Sequence, residues 1–459
     1  MFVLHNFSTM KNIFLLLSIV LISEISAQSF AVGHRNVIYI DPSRNNRQIE
    51  TEIYYPANIA GDNVAIAQGQ FPVISFGHGF VMVWSAYQNI WSALVPQGYI
   101  VMFPRTEGNT SPNHAEFGRD LAFLIGKMQS EGTTANSPFF GAVGTTSAIM
   151  GHSMGGGASF LAAENNTTIT TMVTLAPANT NPSSIAAAAN VGVPALVIAG
   201  ENDCVTPPAQ HQVPMYNGLS SSCKTYMEVK GGGHCYFANN NFNCSFGEGT
   251  CTPNPTITRA EQQDAAQDMM SLWLAYFLKG DCPSWESFGD SLLASPRITS
   301  QSTCLFPPPI VSVNANVLTS SPAVTYQWML NNIAIPGADS SSYTISGIGS
   351  YHVETTYYNS CIYSSSAVVI TGLLENASAF TFNILPNPVT DVVTLQWNSG
   401  SISPDAVQII GINGVVIKVQ QVTTGNSTQI QVEDLAPGFY MVQPLRNGNV
   451  LTTQKMIKQ

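Results

Sequence analysis

The short segment 151–157 constrains the fold of this chain more than any other feature. It reads Gly-His-Ser-Met-Gly-Gly-Gly and directly follows the apolar run 148–150. Glycines on both sides of Ser153 allow a very tight turn, in which larger side chains would collide with neighbouring backbone. A Gly-x-Ser-x-Gly sequence between a strand and a helix is typical of a serine held at a sharp strand-to-helix turn. The segment predicts α/β architecture, with Ser153 as a candidate nucleophile.

The sequence on both sides of this turn alternates short β-rich apolar runs with longer helical stretches. Such alternation indicates β-α-β units and a mostly parallel sheet. Eight strands are predicted, at residues 37–40, 52–55, 72–76, 100–103, 147–150, 171–175, 195–199 and 225–229. Helices are predicted at residues 87–94, 115–129, 155–163, 209–216 and 259–278. We therefore expect an eight-stranded, mostly parallel sheet with helices between its strands.

The chain is too long for one domain. It has 459 residues, whereas single hydrophobic cores rarely grow beyond roughly 250–300 residues. Three prolines at 307–309 mark a stiff linker, and the short alternating runs beyond them predict two small all-β domains. The expected divisions are a targeting segment at 1–27, an α/β domain at 28–304, and β domains at 305–374 and 375–459.

The first of these segments has the layout of a cleaved secretory signal. Lys11 precedes an apolar run at 13–22, and the small residues Ser26 and Ala27 stand before Gln28. Later segments do not reach the roughly 20 apolar residues that a membrane span needs. We expect an exported protein without a membrane span.

The charge of the chain limits its partners. The formal net charge is −11, and only 9% of the residues are charged. Nucleic acids and anionic membranes select clusters of Lys and Arg, and the sequence has no such cluster. A neutral or weakly polar substrate fits better. The cysteines do not have paired Cys-x-x-Cys metal spacing, and no metal or cofactor is expected.

A serine hydroxyl is a weak nucleophile unless a histidine takes its proton and an acid orients that histidine. In this architecture the acid follows the serine in the chain and the histidine comes last. Asp203 lies just past the predicted strand 195–199 and is the expected acid, with Glu201 as the alternative. His234 follows three glycines that let its loop return over the sheet edge, and it is the expected base. Other histidines fit less well by position: His34, His114, His152, His211 and His352. His78 could be read as a catalytic base or a metal ligand, but it has no cluster of partner residues, so a structural role is preferred.

Two N–H donors are needed for the oxyanion that develops in acyl transfer. One usually belongs to the residue after the nucleophile, and the other to the loop after the third strand. Met154 would supply the first donor. The predicted strand 72–76 ends in the turn 77–80, so the Phe80 N–H is the expected second donor.

Export would allow the eight cysteines to form disulfides. Cys204 adjoins Asp203 and Cys235 adjoins His234, so a bridge between these two cysteines would tie two candidate active-site loops together. Eight cysteines allow 105 connectivities, and their spacing does not determine the pairing.

Segments 76–80, 151–157, 200–203 and 232–234 together resemble the serine-esterase branch of the α/β-hydrolases, over about residues 33–280. This branch includes cutinases, polyester hydrolases, chlorophyllase-like enzymes and platelet-activating-factor acetylhydrolases. The resemblance implies an α/β-hydrolase fold, with Phe80 at the oxyanion position where tyrosine is commoner. Some polyester hydrolases bridge the acid and base loops by a disulfide, which resembles the placement of Cys204 and Cys235.

The resemblance also indicates where substrate would bind. Polyester hydrolases commonly carry a Trp on the loop after the strand that follows the elbow helix, and Ala178 stands on that loop here. Trp84 could supply an aromatic surface instead, with core packing as its other interpretation. Phe80, Trp84 and Ala178 are therefore the candidate substrate-binding residues.

The C-terminal segments carry resemblances of their own. Residues 310–372 look like the immunoglobulin-like modules of Bacteroidetes surface proteins, with Trp328 as the core tryptophan. The motifs at 385–388 and 435–440 are similar to the type IX secretion sorting domain. This similarity implies the type IX secretion machinery as a partner, and a secreted or cell-surface location.

These observations predict a serine-dependent carboxylic-ester hydrolase that acts as a monomer through an acyl-enzyme. A cutinase-like polyester hydrolase acting on external esters, with polyethylene terephthalate among the candidate substrates, is preferred. The alternatives are an enzyme like the platelet-activating-factor acetylhydrolases, a general short-chain esterase, and a peptidase of the same fold. A surface binding protein with an inactive hydrolase fold is the alternative of a different class.

Overall fold

The computed structural model describes residues 29–371, 380–398, 403–412, 414–422 and 425–459. The predicted signal at 1–27 and the predicted domain boundary at 374/375 lie outside these residues. Among the described residues, no helix is long and apolar enough to cross a membrane.

A ten-stranded mixed sheet forms the centre of the N-terminal part. Its strands are β1 (Ala31–Asp41), β2 (Arg47–Ala57), β3 (Gly61–Asp62), β4 (Phe71–Gly77), β5 (Ile100–Pro104), β6 (Val143–His152), β7 (Thr171–Leu175), β8 (Ala195–Gly200), β9 (Lys224–Val229) and β10 (Ile298–Ser302). Their order is β10-β9-β8-β7-β6-β4-β5-β2-β1-β3. Strands β4 to β9 pair in parallel, whereas β2 is antiparallel to both β1 and β5, and β10 is antiparallel to β9.

Eight α-helices accompany this sheet in the described residues. They are α1 (Gln88–Leu94), α2 (His114–Thr133), α3 (Met154–Ala163), α4 (Ser184–Ala187), α5 (Gln212–Gly218), α6 (Phe242–Glu248), α7 (Arg259–Lys279) and α8 (Cys282–Ala294).

The prediction of eight strands in a mostly parallel sheet holds only in part. Each predicted strand lies within a strand of the structure, but β3 and β10 extend the sheet to ten. β3 is only two residues long, and both are exposed. β10 has one buried residue, Ile298, among polar side chains, so it lacks an apolar run. Neither strand had a hydrophobic pattern by which it could be recognised.

The two faces of the sheet are covered by different helices. Side chains of β4 alternate between the two cores, so that Val73 packs on one face and Ile74 on the other. Phe117 of α2 lies in the first core and Trp273 of α7 in the second. The long helix α7 begins with a capping box, in which the Thr258 hydroxyl accepts from the Glu261 N–H and the Glu261 carboxylate accepts from the Thr258 N–H.

The segment after the ten-stranded sheet is all-β, as predicted. Its strands are β11 (Val311–Asn314), β12 (Val317–Ser320), β13 (Thr325–Leu330), β14 (Ile333–Ala334), β15 (Ser342–Thr344), β16 (Gly349–Thr356), β17 (Tyr363–Ser364) and β18 (Val368–Ile370). Strands β11, β12 and β15 form one sheet and the other five form a second. Trp328 is fully buried between them, and its indole N–H donates to the Ser340 carbonyl at 2.9 Å.

The C-terminal segment is all-β as well. Its described strands are β19 (Phe382–Leu385), β20 (Val392–Trp397), β21 (Ala406–Gly411), β22 (Val416–Gln421), β23 (Ser427–Gln431), β24 (Gly438–Arg446), β25 (Asn449–Val450) and β26 (Gln454–Lys458). Strands β19, β20 and β23 form one sheet, and the other five form a second. A separate core that includes Leu395, Ile409 and Met456 joins the two sheets.

The first β segment packs directly against helices α7 and α8. A disulfide joins Cys282 to Cys361. The Tyr358 hydroxyl accepts from the Leu305 N–H at 2.8 Å, and the Tyr363 hydroxyl donates to the Cys282 carbonyl at 2.9 Å. The predicted linker at 307–309 is therefore accompanied by a covalent bond and a shared apolar core.

Candidate active site

Ser153 occupies a strained turn between β6 and α3. Its backbone has φ 56° and ψ −120°, a region that residues other than glycine rarely adopt. Close backbone packing explains the flanking glycine, because a Cβ on Gly155 would lie 2.1 Å from the Gly77 carbonyl oxygen. The turn carries the serine to the carboxyl end of the parallel strands.

Ser153, His234 and Asp203 are brought together from three separate loops. His234 Nε2 lies 2.9 Å from Ser153 Oγ, and His234 Nδ1 lies 2.8 Å from Asp203 Oδ2. The other carboxylate oxygen of Asp203 accepts from the N–H groups of Val205 and Thr206 at 2.9 and 2.7 Å. All three candidate residues are buried. The arrangement allows proton transfer from the serine hydroxyl to an imidazole that a carboxylate orients.

The alternative acid, Glu201, lies elsewhere. Its carboxylate accepts from the Gly231 N–H at 2.7 Å, and its side chain is exposed. Glu201 therefore braces the glycine loop that leads to His234.

His78 contacts two backbone carbonyl oxygens, those of Gly79 and Thr106, each at 2.9 Å. Burial lowers the pKa of His78.

The Thr206 hydroxyl was not among the predicted residues, but it contacts both the acid and the base. It lies 2.8 Å from Asp203 Oδ2 and 3.0 Å from His234 Nδ1. Gln212 in turn donates to this hydroxyl at 3.1 Å and to the Pro177 carbonyl at 2.7 Å. The only signal in the sequence was a hydroxyl residue three positions after an aspartate at a turn, which is too common to single out.

His152, dismissed by its position in the turn, connects two loops of the site. Its Nε2 lies 3.0 Å from the His234 carbonyl oxygen, and its Nδ1 lies 3.0 Å from the Tyr87 hydroxyl. The Tyr87 hydroxyl also accepts from the Gly79 N–H at 2.8 Å. Burial holds the pKa of His152 well below its ordinary value, and the proximity of His234 lowers it further. A neutral His152 donates to the His234 carbonyl and accepts from Tyr87.

The candidate oxyanion donors, Met154 and Phe80, belong to two different turns. Met154 is the first residue of α3, where helix amides lack intrahelical partners. Phe80 follows the Gly79 amide that Tyr87 binds, and its side chain is 49% exposed. The Ala178 N–H donates to the Ser153 carbonyl at 2.9 Å, so the Ala178 loop lies against the nucleophile turn.

Trp84 packs within an aromatic cluster. Its ring centroid is 5.7 Å from that of Trp91, 6.0 Å from Tyr54 and 6.3 Å from His34. Trp84 is half-buried, and this packing accounts for its position without a substrate. The core interpretation of Trp84 fits these contacts better than the substrate-binding one.

The structure contradicts the hypothesis of a bridge between Cys204 and Cys235. Cys204 pairs with Cys251, and Cys235 pairs with Cys244. Both acid-loop and base-loop cysteines are thus joined to one short segment around α6. Two further disulfides join Cys223 to Cys304 and Cys282 to Cys361. The described residues contain no group of three or more His, Cys, Asp or Glu side chains that could hold a metal ion.

Two parts of the chain match known protein families. Residues 26–248 match the PET hydrolase-like family model, and residues 383–459 match the secretion system C-terminal sorting domain. The first match implies the α/β-hydrolase fold for the part with the large mixed sheet. The second shows that the protein is secreted or displayed at the cell surface.

Three relatives show the extent of the similarity. A bis(hydroxyethyl) terephthalate hydrolase of Streptomyces coelicolor is 28% identical over 183 residues, 40% of this chain and 54% of that protein. Cutinase 1 of Thermobifida cellulosilytica is 38% identical over 88 residues, 19% of this chain and 32% of that protein. Cutinase est2 of Thermobifida alba is 26% identical over 197 residues, 42% of this chain and 59% of that protein. The chain spans less than two thirds of each of these relatives.

Proposed function

We propose that this chain hydrolyses carboxylic esters through an acyl-enzyme on Ser153. The chain carries a PET hydrolase-like domain and a secretion sorting domain. One observation carries this proposal: the hydrogen-bonded series from Ser153 through His234 to Asp203, at 2.9 and 2.8 Å. No metal or cofactor takes part in the proposed reaction.

In the proposed reaction His234 acts first as a base and then as an acid. Ser153 Oγ attacks the ester carbonyl while His234 Nε2 takes its proton. Asp203 stabilises the imidazolium, and the N–H groups of Met154 and Phe80 bind the oxyanion. His234 then protonates the leaving alcohol. A water molecule activated by His234 releases the acid and restores Ser153.

The substrate that we propose is an uncharged external ester, with polyesters such as polyethylene terephthalate as the first candidates. Segments 78–99 and 176–194, which follow β4 and β7 at the carboxyl edge of the sheet, contain no charged residue. The names of the relatives, cutinase and bis(hydroxyethyl) terephthalate hydrolase, agree with such a substrate. Ala178 stands on the loop where polyester hydrolases commonly carry Trp, and segment 176–194 contains no aromatic residue.

Fluorophosphonate labelling tests the enzyme proposal directly. The folded protein should be labelled at Ser153, and Ser153→Ala should abolish the label and reduce ester hydrolysis about 10⁴-fold or more. A folded protein that is not labelled would instead be a binding protein. A panel of short and long p-nitrophenyl esters, a short phospholipid acetyl ester, a p-nitroanilide and a polyester film then separates the substrate classes.

We also propose how the chain is divided into domains and what its last domain does. The units are a hydrolase domain at 28–304, an immunoglobulin-like module at 305–374 and a sorting domain at 375–459. The sorting domain would be the part that engages the type IX secretion machinery. The test is deletion of residues 375–459, after which the hydrolase should stay in the cells instead of reaching the culture medium or the cell surface.

A further inference from the structure

Helix α6 presents two phenylalanine side chains to solvent. Phe242 is 80% exposed and Phe246 is 67% exposed. They stand four positions apart on one side of the helix, with ring centroids 6.2 Å apart and ring planes 26° from parallel. Isolated apolar side chains on a surface need no explanation, whereas a contiguous apolar patch frequently marks a binding site.

The segment around α6 is bonded covalently to both loops that carry the acid and the base. Cys244 pairs with Cys235, the residue after His234, and Cys251 pairs with Cys204, the residue after Asp203. The buried Glu248 carboxylate also accepts from the Cys235 N–H at 3.0 Å. The two exposed rings are therefore held at a fixed place beside the candidate active site.

The same helix reaches the loop that carries the candidate oxyanion donor. The Asn243 side-chain amide donates to the Val81 carbonyl at 2.9 Å, one residue after Phe80. Phe80 and Val83 on that loop are 49% and 55% exposed. Apolar side chains are thus exposed on both α6 and the oxyanion loop, which meet at this hydrogen bond.

The two segments that form this surface carry almost no charge, and Arg259, just beyond them, donates to the Cys235 and Ala238 carbonyl oxygens. The loop segment 78–99 has no charged residue, and the segment 235–258 has only Glu248, which is buried. A charged ligand would find no partner among these segments. An uncharged, apolar chain would lose little solvation of polar groups when it lies across them.

We propose that Phe242 and Phe246 form a docking surface for the apolar part of an uncharged ester polymer, whose scissile bond lies at Ser153. This inference rests on the proposed function and extends it to one element of the chain. Continuity with the catalytic loops selects the substrate as occupant. A second copy of this chain is the alternative occupant, and its dissociation by the two substitutions would identify it.

Adsorption to a polyester film tests the docking surface apart from catalysis. Both the reference protein and the double variant Phe242→Ser/Phe246→Ser carry Ser153→Ala, and depletion from solution measures their binding. The double variant should adsorb about tenfold more weakly, because each buried phenyl ring contributes substantially to apolar binding. Phe140→Ser is the matched control, because Phe140 is also exposed, at 57%. It lies just before the amino end of β6, whereas the candidate site lies at the carboxyl end of this strand. This control should adsorb like the reference.

Hydrolysis with Ser153 intact completes the test. The double variant should cleave p-nitrophenyl acetate within twofold of the unmodified protein and release product from the film about tenfold more slowly. Unchanged adsorption, or an equal loss on the soluble ester, would overturn the docking surface. So would a dimer that the two substitutions dissociate, since a second copy would then be the occupant. If the unmodified protein cleaves no ester while adsorption still depends on the two rings, the proposed function fails and the apolar docking surface stands.

Discussion

At the scale of single residues, the hydroxyl groups of Thr206 and Tyr87 contact the two histidines of the candidate site, His234 and His152. The Thr206 hydroxyl shares the His234 Nδ1–H with Asp203, at 3.0 Å from the nitrogen. Because this hydroxyl is buried and has four polar partners, we expect it to fix the imidazole more tightly than Asp203 alone. We therefore expect Thr206 to be a positioning residue for His234, the proposed base.

We expect Thr206→Val to lower kcat about 10- to 100-fold with little change in KM. This range corresponds to the loss of one hydrogen bond to a charged group, roughly 1.5–3 kcal/mol. Thr206→Ser retains the hydroxyl and should recover most of the rate. Initial rates on a soluble ester check both variants, and a kcat unchanged in Thr206→Val would show that Asp203 orients His234 unaided.

Tyr87→Phe should lower both stability and kcat. The change leaves the Gly79 N–H and His152 Nδ1 without their common partner in a buried place, at a cost of about 1–3 kcal/mol for each group. Tyr99→Phe is the matched control, because the buried Tyr99 hydroxyl has no hydrogen-bond partner among the described residues. Denaturant unfolding and kcat should separate the two variants. Equal stability for both would mean that the Tyr87 hydroxyl contributes nothing.

Some site residues could be identified from the sequence and others could not. The two groups differ in how their contacts form. Ser153, Asp203 and His234 stand out because strand ends, glycines and chain order mark them locally. Thr206 and Tyr87 act through contacts between loops far apart in sequence, 28 and 65 residues from their histidine partners. Such contacts depend on how the loops fold together and leave no periodic pattern.

At the scale of elements, α6 is another feature that could not be predicted from the sequence. Its sequence, Phe-Asn-Cys-Ser-Phe-Gly-Glu, is short and poor in helix-forming residues, and it follows three asparagines. The Asn241 side chain caps the helix by accepting from the Cys244 N–H, and two disulfides fasten the segment. The placement of Cys204 and Cys235 suggested one bridge between the loops. The structure instead ties each loop to a third element.

Removing these two disulfides should have unequal effects on stability. The Cys204–Cys251 bridge joins residues 47 apart, and the Cys235–Cys244 bridge joins residues only 9 apart. A longer closed loop restricts the unfolded chain more, so Cys204→Ala/Cys251→Ala should cost about 1–1.5 kcal/mol more than Cys235→Ala/Cys244→Ala. Unfolding under non-reducing conditions measures the difference. Peptide mapping that finds Cys204 joined to Cys235 would refute the pairing itself.

At the scale of the whole molecule, the buried His78 and His152 and the half-buried His211 make stability depend on pH. Burial lowers the pKa of His78, His152 and His211 in the folded protein. In the unfolded chain a histidine has a pKa near 6.5, so below that pH the unfolded chain binds more protons than the folded one. Their contribution to stability is complete above about pH 6.5 and is lost as the pH falls further.

The melting temperature should therefore be flat above about pH 7 and fall as the pH drops from 6.5 toward 5. His211→Gln should make this fall shallower, since His211 accepts from the Asn179 N–H through Nδ1 and cannot do so when protonated. Calorimetry across this pH range makes the measurement. A melting temperature that rises on acidification would contradict the neutral state assigned to these histidines.

The contact between the hydrolase-like part and the first β segment could not be predicted from the sequence, because three prolines and a change of composition indicated separate domains. In the structure Trp285 of α8 stacks on Tyr276 at 4.5 Å and meets Tyr358 of the β segment edge-on at 5.7 Å. The apolar residues of the β segment thus complete a core that belongs to α7 and α8. The β segment is a structural support for the hydrolase-like part.

Truncation after Cys304 should destabilise the remaining domain without disabling its site. A protein ending there loses the ring contacts of Tyr358 and the Cys282–Cys361 bridge, which joins residues 79 apart, and we expect a loss of at least about 3 kcal/mol. Catalysis should persist, because Gln262, which binds Gly233 beside His234, lies about 21 Å along α7 from Tyr276.

Two longer proteins separate packing from the disulfide. Residues 28–371 with both cysteines should melt highest, the same protein with Cys282→Ser/Cys361→Ser should be intermediate, and residues 28–304 with Cys282→Ser should melt lowest. The gap between the last two measures the noncovalent contact alone, since neither has the bridge. This contact consists of the ring packing and of hydrogen bonds such as that from the Tyr363 hydroxyl to the Cys282 carbonyl. Equal melting temperatures for these two would show that the noncovalent contact with the β segment adds no stability. If kcat falls together with the melting temperature, the stabilisation extends along α7 to the His234 loop.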